Sequence, residues 1–153
     1  MDQSLRKVKI SSQQMKAFHI LLTIMIMVFI FIQSALPADL SEEESGMIVK
    51  VISGLLGTDP ERTSFIVRKC AHFTEYLCLG ISLSWTVRDL AVLPYRVPFY
   101  LSSWIIGTVY AATDELHQAF VPGRSCELRD VVIDSVGVAA GVLVLLILKK
   151  VRK

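Results

Sequence analysis

The chain has 153 residues, room for one domain of ordinary size, taken here as 1–153. Hydrophobic residues make up 53% of it and charged residues 20%, against about 45–50% and about 25% in soluble domains. The net charge of +2 is too small for the basic surface that nucleic-acid binding needs, and the three cysteines lack the C-x-x-C spacing of a structural zinc site.

Charge gathers in tails and loops and leaves long apolar runs, which predicts an all-α polytopic membrane protein with four transmembrane helices. The first span runs from Ala17 to Leu36, long enough for a hydrocarbon core of about 30 Å. Arg6, Lys7, Lys9 and Lys16 precede it in the manner of a signal peptide. Its apolar run is long, however, and Gln33-Ser34-Ala35-Leu36-Pro37 is a poor cleavage site, so an uncleaved helix ended by Pro37 is predicted. Residues 38–65 form a polar segment made acidic by Asp39, Glu42, Glu43 and Glu44. Within it Met47, Ile48, Val51, Ile52, Leu55 and Leu56 recur at helical spacing before Gly57, which predicts a short interfacial amphipathic helix over 46–56.

The second span is predicted over Ile66–Val87, the third over Pro98–Ala119 and the fourth over Asp130–Leu148 (66–87, 98–119 and 130–148). A turn with Arg88, Pro94 and Arg96 joins the second to the third. Cys78, in mid-helix, reads as a small buried hydrophobe. Cys70 and Cys126 fall on the same predicted side, where a disulfide is chemically permitted but not required.

Lysine and arginine placement sets the orientation. Arg6, Lys7, Lys9, Lys16, Arg88, Arg96, Lys149, Lys150, Arg152 and Lys153 share one side, which makes both termini cytoplasmic. Lys50, Arg62, Arg68, Lys69, Arg124 and Arg129 fall on the other side, several of them beside acids. The acidic segment and the 120–129 loop then face outward.

Polar residues concentrate at that outer end. On the second span Arg68, His72, Glu75 and Leu79 share a face, with Lys69 beside them. On the third, Tyr110, Asp114, His117 and Gln118 share a face, and Glu115 points about 100° away. On the fourth, Asp130, Asp134, Gly137 and Gly141 form one stripe. An ionised residue at a helix centre costs about 2.5–3.5 kcal/mol, so these groups are expected to face one another rather than lipid. Arg68, Lys69, Arg124 and Arg129 stand against Glu75, Asp114, Glu115, Glu127, Asp130 and Asp134. The excess of acid calls for a metal cation, a protonated histidine, a shared proton or a cationic ligand group.

His72-x-x-Glu75 and Asp114-x-x-His117 suit a divalent metal such as zinc or manganese, or metal-free acid–base chemistry. These four are the candidate catalytic residues. Arg124, after the Pro122-Gly123 turn, suits a phosphate or carboxylate clamp. Arg68, Lys69, Glu115, Gln118, Asp130 and Asp134 complete the candidate binding set. The competing structural reading makes the cluster interhelical glue, and Gly137-x-x-x-Gly141 is a packing motif in its own right.

The residues Arg68-Lys69-x-Ala71-His72-Phe73-x-Glu75-Tyr76, Asp114-Glu115-x-His117-Gln118-x-Phe120-x-Pro122-Gly123-Arg124 and Asp130-x-x-x-Asp134-x-x-Gly137 together resemble the VanZ-like family. Ser34-x-x-Pro37 fits the same pattern; Asp134 stands where the family often has asparagine. The resemblance implies an integral protein of the bacterial cytoplasmic membrane. The family's named member is linked to low-level resistance to the glycopeptide teicoplanin. Three functions follow as expectations. The first is a site that binds or processes a cell-envelope lipid or peptidoglycan-precursor group. The second is an intramembrane hydrolase or transferase, with or without a metal. The third is a non-catalytic scaffold acting through a partner. Membrane lipids are expected neighbours in each. A transporter is disfavoured, because the polar stripes have no charged continuation inward.

Overall fold

The computed structural model describes residues 11–90 and 98–151. Arg6, Lys7, Lys9, Pro94, Arg96, Arg152 and Lys153, and the side chains of Glu44 and Lys149, lie outside the described residues. The described chain is helical throughout: α1 (Ser12–Ala35), α2 (Ala38–Leu56), α3 (Pro60–Leu90), α4 (Phe99–Gln118) and α5 (Leu128–Val151).

Local chemistry sets the boundaries. At the start of α1, Ser11 Oγ accepts from the Gln14 amide and Gln14 Oε1 accepts from the Ser11 amide, a reciprocal capping box. Gly57 ends α2 with φ of 63°, the left-handed conformation that a residue with Cβ resists. Asp59 Oδ2 then accepts the Arg62 amide, and Pro60 occupies the first turn of α3, where its missing N–H costs nothing.

Every described helix but α4 is longer than the sequence pattern predicts, α2 and α3 the most. The interfacial helix begins at Ala38 rather than near residue 46, and the second span begins at Pro60 rather than Ile66. In both, the added turns are mostly polar, so no apolar period announces them. The apolar face of α2 stays uncovered, with Met47 and Leu55 each 80% exposed.

α3 is the central element and packs on each of the other four helices. Its closest partner is α5, and glycine explains the approach. A Cβ at Gly137 would meet the Phe73 carbonyl oxygen at 2.7 Å, and one at Gly141 would collide with that of Leu77. The small core between the helices contains Ile30, Tyr76, Leu79, Leu83, Ala111, Val138 and Val142.

Burial is inverted relative to a water-soluble bundle. Ser34, Ser82, Ser84, Ser102, Ser103, Asp114, Glu115 and Asp134 are buried, whereas Phe18, Leu21, Met25, Ile32, Val136 and Ile147 are exposed. Apolar surroundings favour that arrangement. By length and composition, Ser12–Ala35 and Leu128–Leu148 are the described helices apolar enough to cross a membrane. α3 and α4 carry more polar residues, many of them turned inward.

The cysteines correct one expectation. Cys70, Cys78 and Cys126 are free, and all are exposed. Cys78 is therefore not a core residue: the side of α3 that it occupies looks outward beside α1, and the buried neighbours in the chain are Tyr76, Leu79 and Gly80. Cys70 and Cys126 are not bonded.

Candidate functional site

The bundle has two ends. The C-termini of α1 and α4 and the N-termini of α3 and α5 meet at the end that carries the 119–127 loop. At this loop end lies a cavity of about 190 Å³, lined by Phe65, Arg68, Lys69, His72, Gln118, Gly123, Arg124, Ser125, Glu127 and Asp130. Six predicted site residues thus share one wall-to-wall space: Arg68, Lys69, His72, Gln118, Arg124 and Asp130.

The loop's geometry follows from its turn. Gly123 has φ of 75°, and the Arg124 amide donates to Val121 O at 3.1 Å. The turn aims the Arg124 side chain inward, but its donors are taken differently from the expectation of a free clamp. Nε donates to Leu36 O at 2.8 Å and Nη2 to Gln33 O at 3.1 Å. Nη1 donates to Gln118 Oε1 at 3.4 Å. A helix end leaves carbonyls unpaired, and a guanidinium is well placed to cap them. Arg124 is first the cap of α1 and only second a wall of the cavity. The Ala38 amide donates to Pro122 O at 3.3 Å, which ties the α1–α2 corner to the same loop.

Arg68 is the opposite case. Among the described residues it has one ion pair, with Glu42 of α2, at 3.8 Å. Its guanidinium is otherwise available to the cavity. Burial, and then the nearby Arg68 guanidinium, hold the Arg124 guanidinium below its ordinary value. Two cations repelling across a small space favour an anion between them. Lys69 pairs with Asp130 of α5. On the rim, the Arg129 hydrogen bond holds the Glu127 carboxyl below its usual range.

Beneath the cavity lies a layer of buried acids. Asp114 Oδ2 accepts from Ser34 Oγ at 2.7 Å, Tyr76 Oη at 3.2 Å and Gln118 Nε2 at 3.3 Å. Glu115 turns toward α5 instead, as its offset of 100° on the helix predicts. Its Oε1 accepts from Gln118 at 3.1 Å and its Oε2 from the Glu127 amide at 3.1 Å. Asp134 is 1% exposed, and neither of its carboxylate oxygens has a partner among the described residues. The layer also leaves Glu75 Oε2 and Asp114 Oδ1 unpaired, and His72 Nδ1 and Asp130 Oδ1 are unpaired in the cavity wall.

Not every predicted residue arrives at the cavity. The His117 ring stacks on Phe31 of α1 with centroids 4.6 Å apart and does not line the space. Asp114 and His117 are thus not brought to the cavity wall together. Glu75 lines a separate apolar groove between α1 and α3 together with Met25, Phe29 and Cys78. Among the described residues, no three His, Cys, Asp or Glu side chains converge in a metal-binding arrangement. The divalent-metal expectation thus finds no built donor set there.

Three contributors were missed. Tyr76 hydrogen bonds to Asp114 and Ser34 is its closest donor, although neither had been given a role. Phe65 lines the cavity beneath two cations, which no spacing in the sequence signals.

Comparison with known families decides the assignment, because the VanZ/LLP1 family profile matches residues 18–149. The chain belongs to the VanZ/LLP1 family. No curated protein and no solved structure matches it. In this VanZ/LLP1 protein the matched region takes in every residue of the cavity and of the acid layer, so the site is part of the family domain itself.

Proposed function

We propose that this VanZ/LLP1 protein binds the anionic head of a cell-envelope lipid or peptidoglycan precursor in the loop-end cavity. One observation carries this reading: a small cavity whose walls hold Arg68, Lys69 and Arg124, with Arg68 lacking a hydrogen-bonded partner and His72 Nδ1 unpaired. Guanidinium and imidazole donors suit phosphate or carboxylate. Arg124 keeps its place through the α1 carbonyls and supplies charge at fixed geometry.

In this reading the chain has four membrane spans, α1, α3, α4 and α5, with both termini cytoplasmic. The loop end then faces outward in a bacterial cytoplasmic membrane, and α2 lies in the interface with Met47, Ile48, Val51 and Leu55 in lipid. The exposed apolar row on α2 and the inward-turned polar groups of α3 and α4 support it. A contribution to teicoplanin resistance would run through that same outward site, by engaging the precursor group on the face where glycopeptides act.

Processing of the bound group is a second reading, favoured by the unpaired buried oxygens of Asp114 and Asp134 close under the cavity. An acid layer of this kind can hold a proton beside a bound anion. The test begins with Arg68→Ala and His72→Gln in purified protein, with glycerol phosphate and dioleoyl phosphatidate as probes. Loss of binding with normal membrane level and thermal stability supports a headgroup site. Unchanged binding in both variants removes it. Release of inorganic phosphate from phosphatidate by the wild type, abolished in Asp134→Asn, would establish the processing reading.

A further inference from the structure

Phe65 and Lys69 line the cavity, and the same two residues line an apolar groove of about 380 Å³ between α3 and α5. Ile66, Phe73, Thr74 and Ile133 form the rest of that groove's wall, with Cys70. Larger apolar grooves lie between α1 and α3, about 670 Å³, and between α2 and α3, about 700 Å³. Neither of those shares a lining residue with the cavity. Among the described grooves, continuity therefore singles out the α3–α5 face.

The junction is built from one aromatic ring and two cations. Lys69 Nζ lies 5.1 Å from the centroid of the Phe65 ring, and Arg129 Cζ lies 5.5 Å from it. Phe65 is 42% exposed, so its ring stands at the surface. Lys69 is held by Asp130 across the α3–α5 seam. Arg129 is likewise held by Glu127 at 2.8 Å, so the charge left for a ligand lies in the cavity, at Arg68 and Arg124. A molecule seated here meets that charge at one end and apolar side chains at the other. That charge order matches an amphiphile with an anionic head, and it matches neither a free anion nor a neutral lipid.

We propose that the α3–α5 seam at Phe65 is a lateral portal through which an anionic membrane lipid places its head in the cavity, with its chain lying along Phe73 and Ile133. This rests on the headgroup reading above and adds the route and the class of ligand: a lipid from the bilayer rather than a soluble anion. The groove supplies little hydrophobic free energy inside a bilayer, where lipid tails are as apolar as the side chains. Its work is steric and orienting. It lets a head enter the cavity while the chain remains outside the bundle.

The test blocks the portal without touching the cavity. Ile133→Trp and, as a second plug on the other helix, Thr74→Trp would be compared with wild type in mild detergent. Bound dioleoyl phosphatidate is counted by native mass spectrometry, and glycerol phosphate binding is measured by isothermal titration. Thermal unfolding of each variant identifies the folded one. The expected result is about tenfold weaker phosphatidate binding in the plugged protein, with glycerol phosphate bound as in wild type. Phosphatidate binding at wild-type strength in both plugged proteins overturns the portal and leaves the headgroup site standing. So does a wild type that takes glycerol phosphate but not phosphatidate. A wild type that takes neither probe removes the headgroup site, and the portal falls with it.

Discussion

The two ends of this bundle treat buried polar groups in opposite ways. At the tail end, His19 of α1 is buried, its Nδ1 lies 2.7 Å from Asp89 Oδ2 on α3, and its ring stacks on Trp85 at 5.3 Å. One turn along, the hydroxyls of Thr23 and Thr86 meet at 2.9 Å. Those groups are matched and closed. At the loop end, His72, Glu75, Asp114, His117, Asp130 and Asp134 all keep buried atoms without partners. In the four-span reading both ends lie near the membrane surfaces, and polar groups that served only to glue helices would be expected to pair at both. That contrast is what the proposed headgroup site predicts: polar residues that close on one another at the tail end, and polar atoms left for a ligand at the loop end. Loop-end pairs hold helices too: Asp114 joins α1, α3 and α4 through Ser34, Tyr76 and Gln118, so the contrast lies in the atoms left over.

The largest expected effect sits at the loop-end residue that is paired like the tail end. Arg124→Ala would strip the cap from the Leu36 and Gln33 carbonyls and release Gln118, a loss of about 3 kcal/mol. Thermal unfolding in detergent should show it as a clear fall in Tm, together with a reduced membrane level. A Tm equal to wild type would mean that the α1 carbonyls find other donors and that Arg124 serves the cavity alone. Next comes Asp89→Ala at the tail end, which leaves His19 without its partner. A loss of about 2 kcal/mol is expected, near the upper limit for interhelical hydrogen bonds in membranes, with glycerol phosphate binding unchanged. Weakened binding there would erase the division between the ends.

Asp134→Asn should move the other way. Its two oxygens have no donor to lose, and the amide carries no charge into the acid layer beside Glu115 and Asp114. A gain of about 1 kcal/mol is expected, read as a raised Tm. A fall of similar size would show that Asp134 is engaged by a group that holds the bundle together.

How much of this was legible in the chain depends on the physical signal each feature leaves. α4 occupies Phe99–Gln118, close to the predicted 98–119, because Pro98 marks where the helix starts and the Pro122-Gly123 turn follows soon after where it stops. The meeting of Arg68, Lys69, His72, Gln118, Arg124 and Asp130 was also legible, since helical spacing and short connections leave them few other places to go. The polar first turns of α2 and α3 were not, because polar turns have no apolar period. The His19–Asp89 pair was silent for another reason: its members are 70 residues apart, and each looks unremarkable in its own segment. His117 shows the limit of periodicity. Spacing places it near Asp114, but a histidine at a helix edge can turn its ring either way, and Phe31 of α1 provides a flat partner. Arg124 shows the same limit from another side, since a sequence names the donor and not the carbonyls it will meet.

The smallest change in stability is expected where the comparison is sharpest. Arg68 is partly exposed and makes one long contact with Glu42, so Arg68→Ala should alter stability by no more than about 0.5 kcal/mol. If the cavity holds an anion, the same substitution removes a charged donor from it and should weaken glycerol phosphate binding about tenfold. Raising the salt concentration should weaken the wild type more than the variant, because a guanidinium at the cavity rim is screened and alanine has nothing to screen. Arg68→Lys separates charge from geometry: partial recovery fits a point charge, and none fits a two-pronged contact. An Arg68→Ala protein that unfolds early but binds normally would invert the assignment. The loop end would then be built like the tail end, and its unpaired atoms would belong to packing rather than to a ligand.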